Sequence, residues 1–185
     1  MKKLLFLTAA VCLFSIAALA QDKKADFSGT WTLDISKSKL DERARIESMT
    51  MTVTQTDKDI KVDSKTVRAA RPEGAPGGTG GGGGMGRGGG FGNGDASATY
   101  SLDGKETKTE QDSQLGKVPV TFRAKLEAGK LNLWSSRTFN TPNGEMKSAT
   151  KEDWSISDDA KTLTVSREQT TPRGTNSSTM VFTKK

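Results

Sequence analysis

The chain has 185 residues, no histidine and one cysteine, and its 28 basic and 22 acidic residues give a net charge of +6. The lack of histidine excludes His-dependent nucleophilic triads and removes the usual zinc ligand and the commonest general base. Basic and acidic residues are interspersed along most of the chain, which is typical of a solvated surface and predicts no nucleic-acid partner.

The first twenty residues have the pattern of an export signal. Lys2 and Lys3 precede an apolar run over residues 4–19, and the segment closes with the small-residue sequence ALA at 18–20. A run of about 16 residues is shorter than the roughly 20 that a membrane-spanning helix needs. We therefore predict a signal peptide at 1–20, a mature chain from Gln21 without a membrane span, and export to the periplasm or the extracellular space.

The mature chain is predicted to fold without disulfides, because Cys12 is the only cysteine and lies in the signal peptide. Subtracting 20 residues from 185 leaves 165, which is enough for one domain with its own hydrophobic core. We predict a single domain over 21–185 that is a monomer.

From residue 29 onward, apolar and polar residues alternate with a period of two. The first run, 29–36, places Trp31, Leu33 and Ile35 on one face. Further runs of this kind follow at 48–56, 59–67, 98–102, 118–126, 130–139, 146–156, 163–167 and 178–184, with a polar run at 106–110. The pattern predicts nine or ten short β-strands.

A glycine-rich stretch interrupts the series of strands. Fourteen of the twenty glycines lie between Gly74 and Gly94, where the sequence has no hydrophobic period. Backbone entropy opposes a fixed fold in such a stretch. We predict a disordered Gly-rich loop at 70–95 that acts as a linker.

The segment KSKLDERARIESM, residues 37–49, is the one helical candidate. Its charges recur at spacings of three and four residues, which favours a short helix between the first two strands. Short strands joined by tight turns, each with one apolar face, favour a sheet that curls and closes to remove its edges. The predicted fold class is all-β: an up-and-down antiparallel β-barrel of about 8–10 strands with one short helix.

The segment FSGTW at 27–31 resembles the Gly-x-Trp signature that opens the first strand of lipocalins and fatty-acid-binding barrels. EDWSISDDAKTLTVSRE followed by STMVFTKK is similar to the closing strands of secreted bacterial lipocalin-like domains. The resemblance spans 27–184 without the glycine insertion, and the Thr-Asp-Tyr motif of lipocalins is not present. It implies a lipocalin-like barrel closed at one end by Gly29 and Trp31, with Arg167 as the basic residue over the indole.

Three charged residues, Arg137, Glu152 and Arg167, share strand parity with apolar neighbours, so we predict that they point into the barrel. A buried charge must be paired or must meet a charged ligand. In fatty-acid-binding barrels, inward arginines and a tyrosine hold a carboxylate. The resemblance implies that role for Arg137, Arg167 and Tyr100, with Glu152 beside them. Alternatively, a strand end turns these residues to solvent, or Arg137 and Glu152 pair with each other.

The predicted function is binding of a small hydrophobic or amphipathic ligand, anionic if the arginines hold it, by an exported protein that is not an enzyme. No cofactor and no metal is expected, because the sequence shows no nucleophile with a base and no cluster of metal ligands. The alternative is a filled barrel that acts as an envelope or extracellular interaction module through Trp134 and the glycine loop. A cavity of about 300 Å³ or more would favour the ligand-binding hypothesis.

Overall fold

The computed structural model describes residues 25–41, 44–70, 96–113, 116–141 and 144–185. The predicted signal peptide lies outside these residues, and so does the predicted Gly-rich loop apart from Ala70. Ten strands are described: β1 Gly29–Leu33, β2 Ile46–Gln55, β3 Asp59–Arg68, β4 Ala96–Ser101, β5 Thr107–Ser113, β6 Gly116–Glu127, β7 Lys130–Thr141, β8 Gly144–Ile156, β9 Thr162–Thr171 and β10 Gly174–Lys184.

The ten strands form one antiparallel sheet in the order β4-β3-β2-β1-β10-β9-β8-β7-β6-β5. β1 lies between β2 and β10, so the first and last strands are joined and only β4 and β5 are edges. Just after β4, Asp103 forms an isolated bridge with Lys125, and the N–H of Gly104 donates to the carbonyl of Ala124 at 3.1 Å. The predicted fold is therefore confirmed as a nearly closed, lipocalin-like, up-and-down barrel.

The predicted helix at 37–49 is wrong. Its last residues, from Ile46, belong to β2, and the α-helical pattern appears nowhere in the described part of the chain. A 3₁₀ turn, Ile35–Lys37, follows β1, and the Asp34 side chain caps it by accepting from the Lys37 N–H. Within the predicted helical segment, residues 42–43 lie outside the described ranges and Ala44 has 3₁₀ geometry. Ile35 is consequently 44% exposed and does not continue the inward row of Trp31 and Leu33. Across the described ranges, no helix has the length and apolar character needed to cross a bilayer.

The inward face of the barrel changes from apolar to polar along its length. We call the end that holds Trp31 the lower end and the opposite end, where β3 finishes and β10 begins, the upper end. The lower half is filled by large side chains without exposed surface: Phe27, Trp31, Leu131, Trp154, Leu163 and Phe182. Toward the upper end, the first polar inward residues are Ser64 on β3, Ser135 on β7, Glu152 on β8, Arg167 on β9 and Ser178 on β10. The upper half therefore has a polar interior.

Trp31 lies at the lower end with 0% exposure. Its indole Nε1–H donates to the carbonyl of Phe27 at 2.9 Å, so the buried donor has a partner. The Nζ of Lys184 lies 5.2 Å from the centroid of the ring. Lys184 thus takes the position over the indole that the resemblance implied for Arg167, because β1 pairs with β10 in a register that sets Trp31 opposite Lys184.

Gly29 precedes Trp31 by two residues and has φ of +137°, a conformation that side-chain-bearing residues rarely adopt. A Cβ at this position would also lie 2.6 Å from Cε of Lys184. We expect Gly29→Ala to lower the free energy of unfolding by about 1–3 kcal/mol, measured by urea denaturation. The same substitution in a Lys184→Ala background separates the two causes. Most of the loss in the free energy of unfolding should persist in that background, because the strained φ remains. If the loss disappears, the whole effect comes from the contact with Lys184.

Candidate functional site

Glu152 is a buried carboxylate in the polar half of the barrel, with 4% exposure. Arg167 lies directly opposite on β9 and donates from Nε to Oε1 at 2.8 Å, while its Nη2 lies 2.6 Å from the same oxygen. Trp154, two residues along the same face of β8, donates from Nε1 to Oε2 at 2.9 Å. Both oxygens therefore accept hydrogen bonds. The negative charge of Glu152 compensates the positive charge of Arg167, not the positive charge of Arg137.

Arg137 is the second inward arginine, on β7, with Val120 and Ser148 as its cross-strand neighbours. Its Nε and Nη2 are buried and have no hydrogen-bond acceptor among the described residues. Burial lowers the pKa of the Arg137 guanidinium, Tyr100 acts in the opposite direction, and the charge of Arg167 adds to the lowering. An arginine nevertheless stays protonated at physiological pH. The barrel interior thus contains a cation with two unpartnered donor nitrogens and no carboxylate partner in the described chain.

Tyr100 on β4 completes the group. It is 2% exposed and packs edge-to-face on Phe122 of β6, with ring centroids 5.2 Å apart. Burial raises the pKa of the Tyr100 phenol, and the carboxylate of Glu152 raises it further, while Arg167 and Arg137 oppose the shift. The phenol is therefore neutral at physiological pH. We refer to Tyr100, Arg137, Glu152 and Arg167 as the interior cluster.

A cavity of about 560 Å³ opens to solvent at the upper end of the barrel. Its wall includes Arg167, so the cavity adjoins the interior cluster. Its other polar wall residues include Arg68, Gln169, Thr171, Arg173, Asn176 and Ser178, and its apolar surface comes from Leu40, Ala44, Ile46 and Met180. The volume exceeds the 300 Å³ or so at which ligand pockets begin. The space is confined to the upper end and is largely polar, because large side chains fill the lower half.

Arg68 is a wall residue that the sequence interpretation missed. It is the last residue of β3 and lies on the same face as Val62 and Ser64, so strand parity already indicated an inward position. Burial lowers the pKa of Arg68, and the charges of Arg45 and Arg167 lower it further. Its Nη1 donates to the carbonyl of Ala44, which ties the mouth of the cavity to the segment before β2. The predicted strand ended at residue 67, and this one-residue error hid Arg68.

The fold and the site together define a class of protein, a lipocalin-like barrel with a charged, polar cavity at one end. No protein-family model matches the chain, and no curated protein matches it. The chain is similar in structure to zebrafish ileal bile acid-binding protein, solved in complex with cholic acid, with 13% sequence identity and a TM-score of 0.48. The alignment covers 86% of this chain and 98% of that chain.

Proposed function

We propose that this protein is an exported binding protein, not an enzyme, that holds a small amphipathic anion in the upper half of its barrel. The observation that carries the proposal is Arg137, whose buried Nε and Nη2 have no acceptor among the described residues. A buried cation is costly unless an anion meets it. Nε and Nη2 form one edge of the guanidinium, and a carboxylate, sulfate or phosphate accepts from such an edge with two oxygens at once.

The shape of the interior restricts the ligand to a small molecule. The lower half of the barrel is filled, so a long apolar chain has no room beside Trp31 and Trp154. In the cavity, Leu40, Ile46 and Met180 provide a limited apolar surface at the upper end. Arg137 is not itself a wall residue of this cavity, so the proposed ligand places a short apolar part against these side chains and extends its acidic group past Arg167 to Arg137.

The charges around the cavity favour entry of an anion. Its wall includes three cations, Arg68, Arg167 and Arg173, and one carboxylate, Asp41, so positive charge remains in excess even with Arg167 paired to Glu152. Cations that line a concave, low-dielectric surface raise the local concentration of anions and speed their association. Export is supported by the N-terminal pattern of two lysines, an apolar run and the sequence ALA.

Arg137→Gln is expected to weaken the binding of hexanoate by about 10- to 100-fold, because hydrogen bonds to a charged group contribute about 1.5–3 kcal/mol. Hexanol has the same chain without the charge, so its affinity should not change. Isothermal titration calorimetry measures both ligands. Lys65→Gln removes a positive charge from the exposed outer face of β3 and serves as the matched control, with unchanged hexanoate affinity. Equal hexanoate binding by the wild type and Arg137→Gln would refute the anion site, and a wild type that binds neither ligand would favour the interaction module without a ligand.

Native mass spectrometry of the protein isolated from its own cells tests the remaining parts of the proposal. We expect an N-terminus at Gln21 and a co-purified acid that Arg137→Gln no longer retains. A full-length N-terminus would contradict export, and equal retention of the acid by the variant would contradict the role of Arg137.

A further inference from the structure

A second concave surface lies on the outside of the barrel, across β6, β7 and β8, and has a volume of about 500 Å³. Trp134 lies in it, pointing outward because its neighbours Leu133 and Ser135 are buried on the inner face. The indole is half-buried, whereas the other two tryptophans, Trp31 and Trp154, have no exposed surface. We call this surface the outer groove. It does not share a residue with the interior cluster.

Two cations flank Trp134 in the sheet. Arg123 on β6 and Lys151 on β8 are its direct cross-strand neighbours. The guanidinium carbon of Arg123 lies 5.5 Å from the centroid of the indole, so the charge lies against the ring. Within the described ranges, neither Arg123 nor Lys151 forms an ion pair, although Glu168 is opposite Lys151 in register.

The acidic residues of the outer groove, in contrast, already have partners. Asp153 accepts a hydrogen bond from the side-chain amide of Asn132. These two residues face each other on β7 and β8, two positions from the pair Trp134 and Lys151 and on the same outer face. Asp103 lies 3.5 Å from the Nζ of Lys105 and accepts from the Lys105 N–H. The two direct cross-strand neighbours of the indole are therefore cations without an ion-pair partner among the described residues, while Asp103 and Asp153 are the carboxylates of the same groove.

We propose that the outer groove binds an acidic saccharide, a pyranose unit that carries a carboxylate. The C–H face of such a ring packs on an indole, and its carboxylate fits between Arg123 and Lys151. The hydrogen-bonded pair of Asn132 and Asp153 presents amide and carboxylate groups for the hydroxyls of the sugar.

Trp134 provides its own reporter, because it alone of the three tryptophans is exposed to a ligand added from solvent. We expect trigalacturonate to change the tryptophan emission of the full chain, and Trp134→Phe to abolish the change. Arg123→Gln and Lys151→Gln should each weaken binding by about three- to tenfold, since each removes one charged contact. The methyl ester of trigalacturonate keeps the rings without the charge and should bind at least about tenfold more weakly.

Arg137→Gln should bind trigalacturonate like the wild type, so this test is independent of the ligand proposed for the interior. The proposal is overturned if trigalacturonate leaves the emission unchanged, or if the methyl ester binds equally well. Equal binding of tetraglutamate would also overturn it and would assign the outer groove to an acidic peptide partner. Because Trp134, Arg123 and Lys151 are outward residues on paired strands, circular dichroism should show the same fold in all three variants.

Discussion

Glu152→Ala should lower the free energy of unfolding by about 3–5 kcal/mol, because it removes one partner of a buried ion pair. The substitution leaves the guanidinium of Arg167 without its carboxylate and the Nε1–H of Trp154 without its acceptor. Arg137 already adds one positive charge to the same interior. The variant would therefore contain two inward cations and no anion in the interior cluster. Urea denaturation followed by circular dichroism measures the loss.

Three further variants separate charge from packing. Glu152→Gln keeps an acceptor for Trp154 and should lose less stability than Glu152→Ala. Asp153→Asn changes the neighbouring outward carboxylate and should stay within about 0.5 kcal/mol of the wild type. Replacing both partners, as in Glu152→Ala with Arg167→Met, removes the isolated charge, so the double variant should be more stable than Glu152→Ala alone. If the double variant is the less stable one, the loss comes from packing and not from the unpaired cation.

The sequence predicted strands well wherever one face buries apolar side chains. The run at 118–126 corresponds to β6, Gly116–Glu127, because its inward positions are Val118, Val120, Phe122 and Ala124. The runs at 163–167 and 178–184 cover only the lower parts of β9 and β10. In their upper parts both faces are polar, as at Gln169 and Asn176, so no hydrophobic period marks the strand. Cross-strand pairing of the backbone maintains these parts.

The predicted helix failed because charge spacing is a weak signal. One favourable charge pair stabilises a helix by about 0.2–0.5 kcal/mol. Burying an apolar side chain contributes about 1.5–3 kcal/mol, and in β2 both Met49 and Met51 become buried. The alternation of Met49, Met51 and Val53 already contradicted a period of 3.6 residues in the last part of the segment.

Strand parity alone was enough to predict that Arg137, Glu152 and Arg167 lie on the inner face. It could not predict which arginine pairs with Glu152, because that choice depends on register. The turn between β8 and β9 sets Glu152 opposite Arg167, while Arg137 on the other side of β8 lies opposite Ser148. Lys184 was missed for the same reason, since its place over Trp31 follows from the pairing of the first strand with the last. Such long-range pairing leaves no mark in a local segment.

The side chain of Trp31 is fully buried at the lower end of the barrel. Trp31→Ala should lower the free energy of unfolding by about 3–5 kcal/mol, because it removes a fully buried aromatic side chain and leaves a cavity. The carbonyl of Phe27 also loses its donor, and the side chain of Lys184 loses the ring beneath it. Thermal and urea denaturation measure the change.

Trp134→Ala is the matched control, because it removes the same side chain from the outer face of the same barrel. It loses half-buried surface and a contact with Arg123 worth about 0.5–1 kcal/mol at an exposed site, so its cost should be clearly smaller. Trp31→Phe retains a ring at the lower end and loses mainly the hydrogen bond to Phe27. Its loss in the free energy of unfolding should therefore fall between those of Trp31→Ala and Trp134→Ala. Equal losses for Trp31→Ala and Trp134→Ala would mean that the indole at the lower end does not close the barrel. The filled lower half would then need another explanation for its stability, and the restriction of the ligand to the upper cavity would lose its physical basis.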